Sequence, residues 1–250
     1  MSPTRQGLGV ELSYEEHGAG TPMLLVHGIA DGAAGWREVS EALSGEARVI
    51  AYDRRGYGGS VAPEPYERTT VEEQAEDAAM LLRGLDAAPA VVCGRDLGAV
   101  VALDLVRRYR ELVRAVALVD PALYQLAPDA TPALSAERVV LEKALRDGGP
   151  ADAVEAWLAA RGAPADRIER ARGDHVAFFA DYAGLATWPV LRRDLGALDL
   201  PVAVLVSAGA PDYVRETARA LAELVPTATL RAEDELVATL RELLQVLRVQ

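Results

Sequence analysis

The chain has 250 residues, half of them hydrophobic, and a formal net charge of −12 at pH 7. This length and apolar content allow one sizeable core, so we predict one soluble unit, with room for an insertion. The negative charge argues against sequence-independent binding to nucleic acid, and the single cysteine excludes an internal disulfide. The three histidines and one cysteine show no spacing typical of a zinc site.

The sequence shows no segment typical of export or membrane insertion. Residues 1–6 lack the apolar core of a signal peptide, and no stretch reaches the roughly 18 apolar residues that a membrane helix needs. We therefore predict a cytoplasmic protein that does not contact membranes. Residues 56–59 lack the Lys-Ser/Thr pair of a phosphate-binding loop, so we predict a reaction without cofactor or metal. The predicted partner is a small-molecule substrate. A homodimer is an open alternative to a monomer.

Short apolar runs alternate with longer helical patterns along the chain. The runs are five or six residues long and bounded by Gly, Pro or Asp, which is typical of buried parallel strands. They cover residues 23–27, 48–53, 90–94, 115–120 and 202–207. Apolar residues three and four apart predict helices over residues 36–43, 71–85, 97–110, 214–224 and 235–247. This alternation predicts an α/β fold with a mostly parallel central sheet and helices on both faces.

Residues 124–185 interrupt this alternation. They hold helical patterns over 137–146, 151–160 and 166–180, with no strand candidate between them. We predict a helical cap inserted over the sheet, with residues 1–123 and 186–250 forming the core domain. Large aromatic side chains of the insertion and its exit are predicted either to line a substrate pocket or to pack between cap and sheet: Tyr124, Phe178, Phe179, Tyr182 and Trp188.

A strand-to-helix turn at residues 92–99 has the sequence VCGRDLGA. Glycines stand two residues before and two residues after Asp96, which is the spacing of a nucleophile elbow. The glycines let neighbouring backbone approach closely, and the turn holds residue 96 at a helix N-terminus, where an anionic group is favoured. Asp96 is therefore the predicted reactive residue, whereas Cys93 is predicted to be a small core residue.

With three further landmarks in the expected order, the elbow resembles the α/β-hydrolase superfamily over nearly the whole chain. His27-Gly28-Ile29 ends a predicted strand, residues 52–60 have the sequence YDRRGYGGS, and residues 207–212 have the sequence SAGAPD. The resemblance implies an α/β-hydrolase fold and an oxyanion hole formed by the backbone N–H groups of Ile29 and Leu97. It also matches Asp212 to the acid that orients the family's catalytic histidine.

The chain departs from this family because no histidine follows the last predicted strand. Residues 228–235 have the sequence ATLRAEDE, and the last histidine is His175. An aspartate nucleophile resembles epoxide hydrolases and dehalogenases, which need a histidine to activate the water that cleaves the ester. Two explanations are open. His175, more simply interpreted as a half-buried cap residue, reaches the site and contacts substrate, or Asp96 transfers protons.

Arg95 precedes Asp96 at a position that commonly points beneath the elbow. Its guanidinium needs a carboxylate or carbonyl partner, for which Asp120 and Asp212 are the two candidates. Because the side chain stands next to Asp96, we also count Arg95 among the residues predicted to contact substrate.

These features predict an enzyme for a small, mostly apolar organic molecule, by analogy a natural-product intermediate. Asp96 would act as acid and base in an elimination, cyclisation or rearrangement, and the oxyanion hole would stabilise an enolate or alkoxide. The first alternative is an Asp-nucleophile hydrolase of the epoxide-hydrolase type, with Tyr124 or Tyr182 polarising the epoxide oxygen. The second alternative is a ligand-binding module without catalysis.

Overall fold

The computed structural model of the protein describes residues 2–185, 188–189 and 191–246, without the side chains of Leu185 and Val246. The strands of this described part are β1 Thr4–Gln6, β2 Glu11–His17, β3 Thr21–Val26, β4 Ala47–Tyr52, β5 Ala90–Arg95, β6 Val113–Val119, β7 Val202–Val206 and β8 Ala228–Ala232. They form one sheet in the order β1-β2-β4-β3-β5-β6-β7-β8. The β1–β2 and β2–β4 pairs are antiparallel and the others are parallel, so the predicted mostly parallel sheet is confirmed.

Three of these strands, β1, β2 and β8, were not predicted from the sequence. β1 is fully exposed, β2 is buried only over its first half, and β8 is half-buried at most. They lie at or next to the two edges of the sheet, where one face or more meets solvent. Edge strands therefore lack the continuous apolar run that marks the buried parallel strands.

The helices are α1 Arg37–Leu43, α2 Val71–Gly84, α3 Leu97–Arg108, α4 Ala130–Gly148, α5 Pro150–Ala160, α6 Ala165–Gly173, α7 His175–Leu185, α8 Arg192–Gly196, α9 Asp212–Leu224 and α10 Leu236–Val246. Residue 247 of the last predicted helix lies outside the described residues. The predicted helix over 166–180 is divided at Asp174 into α6 and α7. Helices α4 to α7 follow β6 without an intervening strand, and we call them the cap helices. Within the described ranges, no helix combines the length and apolar character needed to cross a membrane.

The sheet separates two apolar clusters, as the alternation of side chains along its strands requires. On β3, Leu24 and Val26 belong to the larger cluster, which includes residues of α2, α3 and the cap helices. Met23 and Leu25 belong to the smaller cluster, which α1 and α10 cover from the other face. Cys93 lies in this second cluster, and burial raises the pKa of its thiol to about 12, consistent with the predicted core position.

A buried ion pair joins the cap helices to the loop after β4. Arg54 Nη2 lies 2.7 Å from Asp181 Oδ2 of α7, and the two side chains are 1% and 0% exposed. Gln74 and Tyr57 donate to the same carboxylate at 2.8 Å each. Arg54 also donates to the carbonyl of Gly28 at 2.9 Å. This pair therefore fixes both the cap and the loop that contains Gly28.

Candidate active site

The elbow brings Asp96 to the end of β5, at the start of α3. Its backbone has φ 52° and ψ −116°, which is strained for a residue other than glycine. Two glycines at this turn pack closely against neighbouring atoms. A Cβ atom on Gly98 would lie 2.2 Å from the carbonyl oxygen of Val26, and one on Gly28 would lie 3.0 Å from the Cβ of Asp96. The turn therefore requires glycine at position 98, whereas a side chain at position 28 would force Asp96 to shift by a few tenths of an ångström.

The Asp96 carboxylate contacts one backbone and one side-chain donor. The N–H of Ile29 donates to Oδ2 at 3.2 Å, and the hydroxyl of Tyr124 lies 3.5 Å from Oδ1. Arg167 of α6 holds the loop of Ile29 from the cap side, with bonds of 2.9 Å and 3.1 Å to the carbonyls of Ile29 and Ala30. One of the two N–H groups predicted for the oxyanion hole thus faces the Asp96 carboxylate. Leu97, which would provide the other, is the first residue of α3.

A second polar group lies on the cap side of Asp96. Arg161, just after α5, donates to Glu137 at 2.7 Å, and Tyr213 donates to the other oxygen of Glu137 at 2.6 Å. The Tyr213 ring packs edge-on against Tyr124 at 5.2 Å. Burial, and then the charge of Asp96, raise the pKa of Tyr124 well above its usual value, whereas Arg161 opposes the shift. Tyr124 therefore keeps its proton and is a hydrogen-bond donor at neutral pH.

A third polar group lies at the carboxyl ends of β5 to β8. Arg95 Nη2 lies 2.5 Å from Glu233 Oε1, and the Arg95 guanidinium also stacks on the ring of Trp36 at 4.8 Å. The other oxygen of Glu233 accepts from Ser207, whose hydroxyl also contacts Asp120. The prediction that Asp120 or Asp212 pairs with Arg95 is wrong. Glu233, the residue directly after β8, takes that place.

These groups share one cavity of about 660 Å³. Its charged lining residues are Arg95, Asp96, Asp120, Glu137, Arg161, Arg167 and Glu233. A pocket lined by three guanidinium groups and four carboxyl groups favours a polar ligand, because an apolar one would desolvate charges without replacing their partners. The expectation of a mostly apolar substrate does not fit this lining.

Among the aromatic side chains predicted to line the pocket, Tyr124 alone is a lining residue of this cavity in the described part of the chain. Phe178 is fully buried against Trp157, Phe179 and Tyr182. Trp188 is buried, and its indole N–H donates to Asp104 of α3 at 3.0 Å. The four remaining aromatics are therefore packing residues between cap and core, which was the other interpretation of their positions.

His175 and Asp212 also lie apart from Asp96. The Nδ1 atom of His175 lies 3.0 Å from the carbonyl of Arg172 within the cap, and the residue does not line the cavity. Asp212 is exposed at the start of α9 and lines a separate surface depression. Neither residue is among those that line the cavity of Asp96, which differs from the expectation that they belong to the site.

All three histidines, His17, His27 and His175, fall within the described residues, and none lines the cavity. His27 is buried with both ring nitrogens engaged. Nδ1 lies 2.8 Å from the carbonyl of Gly28, and Nε2 accepts from the N–H of Arg54 at 2.8 Å. These bonds hold His27 as a neutral structural residue.

Stability is expected to fall as the pH drops below about 6.5, the usual histidine pKa of an unfolded chain. Burial, and then the charge of Arg54, hold the pKa of His27 well below that value in the folded protein. Only the unfolded chain binds this proton between the two pKa values, so His27 lowers the free energy of unfolding by up to about 1.4 kcal/mol per pH unit there. Urea unfolding of wild type and His27→Gln between about pH 7 and about pH 5.5 measures the slope. Equal slopes in both proteins would contradict the prediction.

Four residues of the cavity were not predicted from the sequence: Glu137, Arg161, Ser207 and Glu233. Glu233 stands inside the segment 228–235, where the family has its catalytic histidine. A carboxylate directly after the last strand was the available signal. Arg161 and Glu137 belong to separate cap helices, and nothing in their spacing indicates that they meet.

Comparison with known proteins supports the fold found here. The model of the alpha/beta hydrolase fold family matches residues 21–154, more than half of the chain. The chain belongs to this family. A solved thermophilic esterase from Thermogutta terrifontis, with malate bound, is 28% identical with a TM-score of 0.75, and the match covers 94% of this chain and 93% of the esterase.

Curated relatives match over part of their length. The 2-(acetamidomethylene)succinate hydrolase of Mesorhizobium japonicum is 35% identical over 64% of this chain and 56% of the relative. The bifunctional epoxide hydrolase 2 of Sus scrofa is 34% identical over 50% of this chain and 22% of the relative. The chain spans about half the length, or less, of the curated relatives it matches.

Proposed function

We propose that this protein is an α/β-hydrolase-fold enzyme in which Asp96 moves protons on a polar carbonyl compound. The observation that carries the proposal is a carboxylate at the elbow of a cavity that none of the three histidines lines. Hydrolysis through an aspartyl ester needs a base to activate water, and the usual imidazole is absent from that lining. A positioned carboxylate, by contrast, can remove and return a proton by itself.

The proposed step begins with removal of a proton from the carbon next to the carbonyl group. Asp96 takes the proton, and the electron pair moves to the carbonyl oxygen, which becomes an enolate. Protonated Asp96 is a weaker acceptor, so the N–H of Ile29 becomes available to the enolate oxygen. Tyr124 and Arg161 are further donors on the cap side. The negative charge thus moves from the Asp96 carboxylate to an enolate oxygen that faces the same donors. These donors are already in place, which lowers the activation free energy of the proton transfer.

A second candidate is an Asp-nucleophile hydrolase of the epoxide-hydrolase type. It is supported by the strained backbone of Asp96, by the nearby hydroxyl of Tyr124 and by the similarity to the Sus scrofa epoxide hydrolase. In that reaction Asp96 attacks an epoxide carbon, the carbon–oxygen bond breaks, and the oxygen takes a proton from Tyr124. The resulting ester should persist, because no histidine is placed to activate water.

Two measurements separate these candidates. Proton NMR in D₂O follows exchange of the α-protons of a β-hydroxy aryl ketone, and intact-protein mass spectrometry follows alkylation by an aryl epoxide. Catalysed exchange without a mass increase supports proton transfer. A stable adduct located on Asp96, without exchange, would replace the proposal by the epoxide-hydrolase alternative.

Replacing Tyr124 by phenylalanine is expected to slow this exchange about 10²-fold, the usual effect of removing one donor from an oxyanion site. The change removes only the hydroxyl, and the ring keeps its packing against Tyr213. Tyr182→Phe is the matched control, because Tyr182 does not line the cavity. Equal exchange rates for the two variants would show that Tyr124 is not the donor.

A further inference from the structure

Three oxygen atoms from three neighbouring strands meet on one wall of the cavity. Asp120 follows β6, Ser207 follows β7, and Glu233 follows β8. The Ser207 hydroxyl contacts Oδ2 of Asp120 on one side and Oε2 of Glu233 on the other. The Ser207 N–H adds a bond of 2.9 Å to the second oxygen of Asp120. All three residues line the cavity that Asp96 also lines.

The contacts of Ser207 with two carboxyl groups depend on how many protons the three side chains share. A serine hydroxyl has one proton and can donate to one carboxylate, whereas an ionised carboxylate accepts only. Two contacts therefore require a second proton, carried by one of the two carboxyl groups and donated to the Ser207 oxygen. Two like charges across a single oxygen atom also disfavour ionisation of both groups.

The surroundings indicate which group holds this second proton. Arg95 pairs with Glu233 at 2.5 Å and so stabilises its negative charge. Within the described residues, no cation lies within hydrogen-bond distance of Asp120. Burial raises the pKa of its carboxyl group, although the bonds from Ser207 and the charge of Arg95 oppose the shift. The ion pair with Arg95 therefore favours the negative charge on Glu233 and the second proton on Asp120.

We propose that Glu233 is a second proton-transfer residue of the cavity, supplied by Asp120 through Ser207. The inference rests on the proposed function, since it gives the carbonyl chemistry of Asp96 a separate acid. The substrate class it indicates is a β-hydroxy carbonyl compound, from which Asp96 removes the α-proton while Glu233 protonates the leaving hydroxyl group.

The relay conserves protons at each step. The Asp120 proton passes to Ser207 as Ser207 passes its own to Glu233, so that the negative charge moves from Glu233 to Asp120. Protonated Glu233 then gives its proton to the leaving hydroxyl oxygen. The carbon–oxygen bond breaks, water departs, and the enolate electrons form the new carbon–carbon double bond. Solvent takes the proton from Asp96 and returns one to the Asp120–Glu233 pair after product release.

Infrared difference spectroscopy at neutral pH tests the second proton without a substrate. The wild-type spectrum minus that of Asp120→Asn should show the carbonyl stretch of a protonated carboxyl group. Asparagine can still donate to Ser207, so this variant is expected to fold. Glu235→Gln changes an exposed residue of the same turn and serves as the control. This variant should retain the protonated carboxyl group, so the band should be missing from the wild-type spectrum minus that of Glu235→Gln. If the wild-type spectrum minus that of Asp120→Asn lacks the band, the inference is overturned.

The role of Glu233 is tested with the β-hydroxy aryl ketone, by comparing α-proton exchange with formation of the unsaturated ketone. Glu233→Gln should lower the ratio of the dehydration rate to the exchange rate by about 10² to 10⁴, the usual contribution of a general acid. Glu235→Gln should keep both rates. Equal losses of both rates in Glu233→Gln, or no loss, overturn the inference. A wild-type protein that catalyses neither step overturns the proposed function instead, so the two failures are distinguished.

Discussion

Asp96→Asn is expected to lower α-proton exchange by about 10² to 10⁴, the range over which a positioned acid or base accelerates proton transfer. The amide cannot accept the substrate proton, yet its size and its tolerance of positive φ match the elbow. The fold should therefore survive. NMR exchange rates and a thermal unfolding curve, recorded on the same preparation, measure both expectations.

Asp212→Asn is the matched control for this change. It makes the same substitution at the exposed aspartate that the family resemblance had matched to the catalytic acid. Its exchange rate should equal that of the wild type. A loss in Asp212→Asn as large as that in Asp96→Asn would contradict the site described here. Ligand binding that persists unchanged in Asp96→Ala, with no turnover of the bound compound, would instead favour a binding module.

Asp181→Asn is expected to destabilise the protein by about 3 to 5 kcal/mol, because it leaves the buried Arg54 charge without its counter-ion. Arg54 also donates to the carbonyls of His27 and Gly28, which precede Ile29. Loss of the ion pair should consequently reduce exchange as well. Urea unfolding gives the stability change, and NMR gives the rate.

The double variant Arg54→Gln/Asp181→Asn tests whether the uncompensated Arg54 charge causes this loss of stability. If the cost comes from an uncompensated charge, the double variant is more stable than Asp181→Asn alone, since the energies of contacting residues are not additive. Asp166→Asn breaks an exposed ion pair with Arg170 on the cap and should leave stability unchanged. A double variant less stable than the single one would refute the charge explanation.

The sequence was most informative where a local pattern and a buried environment coincide. Strands β3 to β7 are buried on both faces and appear as continuous apolar runs, whereas β1 and β8 at the edges do not. The elbow was recognisable because its glycines are required by backbone contacts a few ångströms away. The cap aromatics could not be assigned, because an apolar ring at a helical position packs equally well against a core or a ligand.

The sequence by itself determined the fold, the position of Asp96 and the absence of a histidine after the last strand. These properties depend on residue type, spacing and chain order, which are local. Only the tertiary structure decided that Glu233 pairs with Arg95, that Arg161 lies on the cap side of Asp96, and that Asp212 lines a separate depression. Such contacts join residues far apart in the chain. Their partners depend on where the ends of strands and helices lie in the folded chain. A short sequence pattern does not specify these positions.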